Sequence, residues 1–284
     1  MQRSISPVWM VLTAIASVQL GAAIAKTQFD AVTPTGMAWL RLVFAGLILA
    51  SFRPSFRGLT RRDWLTGLAL ASSLALMNWS IYEAFARIPL GLAVTVEFMG
   101  PLLVALAGVR RLLDLMWVFM AGTGVVLLGL GPTELHPVGV AFAILAAAGW
   151  AGYILLGAKI SPQWNRSAVL LLASILGSVL LAGPAISSSG AALFQPRVLA
   201  VALVVGVLSS VLPYSLELRA LRVMPTRIFG ILQSLGPVAA ALAGLLILRE
   251  VLGLVEWVAI VSVVAASVGV TWRRRRPLGT VATE

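Results

Sequence analysis

Residues 97–108 read EFMGPLLVALAG, and residues 233–244 read QSLGPVAAALAG. The pattern GPxxxALAG thus occurs twice, 136 positions apart, led by Glu97 in one copy and Gln233 in the other. The match extends outward. Pro89 pairs with Pro225 and Ala84 with Ala220 at the same offset, and Ala25-Lys26 pairs with Ala158-Lys159 at an offset of 133. The chain reads as two copies of one unit, residues 1–136 and 137–272, followed by a basic tail at 273–284.

What the unit is follows from composition. Of 284 residues, 60% are hydrophobic and 11% charged, and the mean hydropathy is +1.00. A soluble chain of this length needs a more polar surface, so the membrane class comes first. Ten apolar runs lie near 8–25, 35–52, 64–86, 90–109, 114–131, 137–157, 167–185, 198–218, 227–248 and 252–272. Each is close to the ~20 residues needed to cross a bilayer. Backbone groups in hydrocarbon must pair within their own segment, which makes the runs helices. They lack the alternation of a barrel strand. Arg3 followed by an apolar stretch and Ala23-Ile24-Ala25 also fits a cleavable signal peptide. Its removal would leave nine helices and break the internal match.

Ten helices in two copies give five per copy. Five is odd, so the second copy enters the membrane upside down: an all-α polytopic protein of two inverted five-helix repeats. Such repeats mark secondary transporters, with the substrate site near the midplane where they meet. Orientation follows from Lys and Arg. With the N-terminus inside, sixteen fall in inner segments, including Arg273 to Arg276, and four in outer ones, Lys26, Arg87, Arg197 and Arg249. Both termini are then cytoplasmic. The net charge of +11 is read as this topology signal and as lipid-headgroup anchoring, not as a nucleic-acid surface.

Proline explains the duplicated phrase. Pro101 and Pro237 lie near the middle of the fourth and ninth runs. Without an N–H, each leaves free the carbonyl four residues earlier, which belongs to Glu97 and Gln233. A free acceptor in a membrane must face protein, water or ligand. Gly100 and Gly236 beside the prolines permit a bend and close helix approach. A simple packing kink is the competing reading. In the eighth run, Pro213 likewise frees the carbonyl of Ser209.

Polar residues at membrane depth are the candidate site. An ionised Glu97 near the centre costs roughly 3 kcal/mol on insertion scales. It should therefore face the bundle interior, held neutral or beside a cation such as Arg41. It can serve proton coupling or an amino group, or merely fix packing. Asn78 and Tyr82, at i and i+4 with Trp79 between them, share a face of the third helix. Glu83 and Arg87 form a favourable i, i+4 pair near its outer end. Trp150 and Tyr153 on the sixth helix, and Tyr214 after Pro213, can line a cavity or sit in ordinary packing. Glu217 is either a gate or an interfacial partner of Arg219, Arg222 or Arg227.

The stretches MNWSIYEAFARIPLGLAVTVEFMGPL, GWAGYILLG, LPYSLELRAL and PTRIFGILQSLGPVAAALAG resemble the EamA-type branch of the drug/metabolite transporter superfamily, above all its inner-membrane threonine/homoserine exporter family. The resemblance covers nearly the whole chain. It implies a ten-helix inverted-repeat fold and efflux of small metabolites from a bacterial cell in exchange for protons. The family places a Gly-Glu pair after the ninth helix, where this chain has Arg249-Glu250. The expected function is a secondary exporter of small amino acids, with an aromatic or cationic cargo as the alternative. Its partners are the substrate, protons and the lipid bilayer; the residues set no oligomeric state. With no Cys, one His (His136) and no GxxxxGK[ST], no cofactor, metal site, thiol nucleophile or ATP motor is implied. An intramembrane enzyme lacks a catalytic cluster, and four ionisable groups at or near membrane depth (Arg41, Glu83, Glu97, Glu217) argue against a passive subunit.

Overall fold

The computed structural model describes residues 6–107, 112–128, 136–159 and 166–273. Arg3, Arg110, Arg111 and the basic residues from Arg274 onward lie outside the described residues. Proline opens several helices, at positions where its missing N–H has no helical partner to lose. Pro7 begins α1 (Pro7–Lys26) and Pro34 begins α2 (Pro34–Ser51), whose first turn the Thr33 side chain caps. A Thr60–Asp63 capping box sets the start of α3 (Arg61–Phe85). The fourth run is two helices, α4 (Leu90–Glu97) and α5 (Met99–Ala107), followed by α6 (Leu112–Leu128).

Pro137 opens α7 (Pro137–Gly157), which leads to α8 (Arg166–Ser189) and a 3₁₀ segment, Gly190–Phe194. The eighth run is α9 (Pro196–Gly206), a π-helical turn at Val207–Val211 and α10 (Leu212–Val223). The ninth is α11 (Thr226–Gln233), α12 (Gly236–Ala243) and a second π-helical turn, Gly244–Leu248. The last is α13 (Leu254–Arg273). Seven of the described helical stretches are long and apolar enough to cross a membrane, and Leu90–Val104 and Leu254–Gly269 are shorter apolar helices.

The sequence reading of runs four and nine as single helices needs correction. Both are broken, at Phe98 and at Ser234-Leu235, one turn ahead of Pro101 and Pro237. The cause is the one that sequence suggests. The proline nitrogens cannot close on Glu97 and Gln233, so the helix ends at those residues and restarts just after them.

The helices pair in a regular way. α1 packs on α10 and α12, α3 on α7, α2 on α8, α4 on α12, and α6 on α13. Small residues let the backbones meet. A Cβ on Gly91 of α4 would lie 2.8 Å from the Ala241 Cα of α12, and one on Gly100 would strike the Ala147 carbonyl of α7. The main core runs through the middle of this packing, from Met37 and Tyr82 to Leu90, Leu92 and Ile260.

Candidate functional site

Three of the interrupted runs surround one cavity of about 490 Å³. That is the size of a small-molecule site. α1 contributes the stripe Ile15, Val18, Gln19 and Ala22; α2 contributes Arg41; α3 contributes Asn78 and Tyr82. The α4–α5 break brings in Glu97, Phe98 and Pro101; α7 brings Trp150 and Tyr153. Ser209, Pro213, Tyr214 and Glu217 come from the eighth run, and Gln233 and Gly236 from the ninth. The two breaks touch: a Cβ on Gly236 would lie 2.8 Å from the Phe98 ring.

Arg41 is the buried cation of the site. Its Nη2 donates to the Ser209 carbonyl at 3.0 Å, the acceptor that Pro213 releases. Sequence finds the free carbonyl; only the fold supplies its partner, 168 residues away. The guanidinium also lies over the Tyr82 ring, 5.4 Å from its centroid, an attractive placement for a cation. Arg41 Nε has no hydrogen-bond partner among the described residues.

Glu97 is buried and faces the same cavity. Among the described residues its carboxyl has no ion-pair partner, so the expected alternative of a direct pair with Arg41 does not form. Glu217 does not meet Arg219 either. It accepts from Gln233 Nε2 at 2.8 Å, and the side chains of Arg222 and Arg227 lie outside those described. Asn78 Nδ2 donates to the Leu74 carbonyl at 2.8 Å. Trp150 packs edge-on to Phe98, with centroids 4.9 Å apart.

Trp79, Gly100 and Pro237 do not line the cavity. Trp79 Nε1 donates to Thr35 Oγ1 at 2.9 Å, and Thr35 in turn donates to Glu83 at 2.6 Å. Glu83 holds Arg87 at 2.6 Å, as the i, i+4 spacing predicts. Gly100 packs on α7, and Pro237 is buried in α12.

Sequence reasoning misses two groups. Gln19 stands alone in an apolar run, and only its place on the 15, 18, 19, 22 stripe could have flagged it. The other is Glu250. Its carboxylate takes Lys26 at 2.6 Å on one oxygen and the Leu90 N–H at 2.8 Å on the other, while Lys26 also donates to the Ile88 carbonyl at 3.0 Å. Arg249 before it sits at φ 57°, the left-handed region that favours glycine, which gives a physical reason for the Gly-Glu pair of the resembled family.

A mostly apolar chamber with a guanidinium and a carboxyl on its lining, inside a bundle of apolar helices, suits a carrier. Residues 137–272 match the model of the EamA-like transporter family. The chain is also 38% identical over 278 residues to the threonine/homoserine exporter RhtA of Salmonella typhimurium (strain SL1344), spanning 95% of this chain and 94% of that one. The chain belongs to the EamA-like transporter family. The threonine/homoserine exporter RhtA of Escherichia coli (strain K12) gives the same identity and coverage. A crystal structure of a protein 18% identical in sequence superposes with a TM-score of 0.56 over 91% of this chain and 95% of its own, a likeness of fold alone. As a member of the EamA-like family with these apolar helices, the chain is a multi-pass membrane protein and a transporter of the exporter type.

Proposed function

We propose that the protein is a secondary exporter of small amino acids of the threonine/homoserine kind, in a bacterial inner membrane, working by proton antiport. The observation that carries this reading is the cavity itself. A buried guanidinium and a buried carboxyl, Arg41 and Glu97, face one chamber without closing on each other. A zwitterion supplies the missing partners: its carboxylate meets Arg41, with Tyr82 or Asn78 beside it, and its ammonium meets Glu97. The 38% identity to exporters named for threonine and homoserine supports that class. A proton on Glu97 competes with the ammonium, which couples release to proton entry.

The ten runs form two inverted five-helix repeats, with both termini cytoplasmic. The helix pairing supports this. Exchanging the halves turns α1 on α10 into α7 on α3 and α1 on α12 into α7 on α5, while α2 on α8 and α6 on α13 map onto themselves. The family match to 137–272 alone supports a unit there. Alternating access then arises as the repeats rock about the breaks at Phe98 and Ser234.

Counterflow of a labelled amino-acid panel in proteoliposomes, with and without a pH gradient, tests the proposal. Threonine and homoserine should exchange, faster with the gradient. No exchange of any amino acid would overturn it. The aromatic wall of Phe98, Trp150, Tyr153 and Tyr214 favours a second reading, an aromatic or cationic cargo, and such compounds belong in the same panel.

A further inference from the structure

We infer that Gln19 reads the substrate's side chain and makes the carrier prefer amino acids bearing a hydroxyl over apolar ones of the same shape. The inference rests on the amino-acid reading above. Every amino acid carries the carboxylate and ammonium that Arg41 and Glu97 would hold, so these two groups cannot tell one amino acid from another. Discrimination needs a third polar contact in the same chamber.

Buried polar atoms that lack partners, on residues lining the cavity, narrow the choice. Among the described residues, Gln19 Oε1, Arg41 Nε, Tyr82 Oη and Ser209 Oγ are buried without hydrogen-bond partners and belong to residues lining the cavity. Tyr82 and Ser209 stand at Arg41, one under its guanidinium and the other bonded to it through its carbonyl. They belong to the carboxylate end. Gln19, on α1, is neither bonded to Arg41 nor stacked on it; it is 8% exposed and flanked on its stripe by Ile15, Val18 and Ala22.

An amide carries both a donor and an acceptor, which is the complement of a hydroxyl. A methyl group leaves it unpaired in an apolar wall, whereas a hydroxyl supplies the missing bond, so the gain goes to the hydroxylated substrate alone. A site built around such a bond rejects the analogue lacking it far more strongly than a pocket rejects a missing methylene.

Threonine and valine, equal in shape, are the probes. Competition of each against labelled threonine counterflow in proteoliposomes gives a selectivity ratio. The wild type should favour threonine by about tenfold or more. Gln19→Met, close in length and apolar, should bring the ratio to within about twofold by weakening threonine and strengthening valine. Gln19→Asn, which keeps the amide, should retain part of the preference, and Gln19→Leu stands in if the Met variant misfolds. An unchanged ratio in the apolar variants overturns the role of Gln19 while leaving the exporter reading intact. A wild type that exchanges no amino acid overturns both.

Discussion

The two copies of GPxxxALAG fold alike and finish differently. In each, the helix stops at the lead residue and restarts before the proline. Yet Glu97 keeps its carboxyl toward the cavity with no ion-pair partner among the described residues, whereas Gln233 gives its amide to Glu217 at 2.8 Å. Backbone geometry follows the shared Gly-Pro, which acts through a missing N–H and a missing side chain. Chemistry follows the one position where the copies differ. A duplicated scaffold can thus hold two matching breaks and a single titratable group.

Glu97→Gln makes the copies chemically alike and should have the largest effect. The protein should fold and insert, but flux driven by a pH gradient should fall about tenfold to a hundredfold, in line with ~1.5–3 kcal/mol for a bond to a charged group. Vesicle transport at several values of pH is the measure; pH dependence equal to that of wild type would remove Glu97 from the coupling role. The exchange Glu97→Gln with Gln233→Glu moves the acid to the other copy. It should not restore coupling, because the new carboxyl meets Glu217 where an amide now donates.

Arg41→Lys keeps the charge and loses the planar fork that reaches Ser209 and stacks on Tyr82. Substrate affinity should weaken by about tenfold, equal to ~1.4 kcal/mol, with the pH response retained. Unaltered threonine affinity by binding calorimetry would contradict the carboxylate assignment. The smallest effect is expected outside the cavity. Arg249→Gly relieves a left-handed backbone and should raise stability by ~1 kcal/mol, read as a higher melting temperature with transport unaltered.

Much of this was legible in the sequence, for local reasons. Apolar runs and prolines act on their own neighbourhood, so the places of α1, α2, α3 and α7, and the free carbonyls at Glu97, Ser209 and Gln233, could be written down beforehand. Twelve of the fifteen candidate site residues line the cavity; Trp79, Gly100 and Pro237 do not. Partners across the fold were not legible. Nothing near Pro213 announces that Arg41 takes the Ser209 carbonyl, and nothing near Glu217 points to Gln233 rather than to the arginines beside it. Gln19 was invisible because a lone amide in an apolar run has no motif. The π-helical turn at Val207–Val211 was hidden for another reason: proline marks where a helix must yield but not how it does so.

At the far end of α1, a single carboxylate serves two masters. Glu250 binds the Lys26 ammonium with one oxygen and the first free amide of α4 with the other. Withdrawing that one side chain releases the helix end and leaves the Lys26 ammonium with the Ile88 carbonyl alone. Parting here therefore loosens two contacts in one step, and water must arrive for the bared amide as the carboxylate leaves.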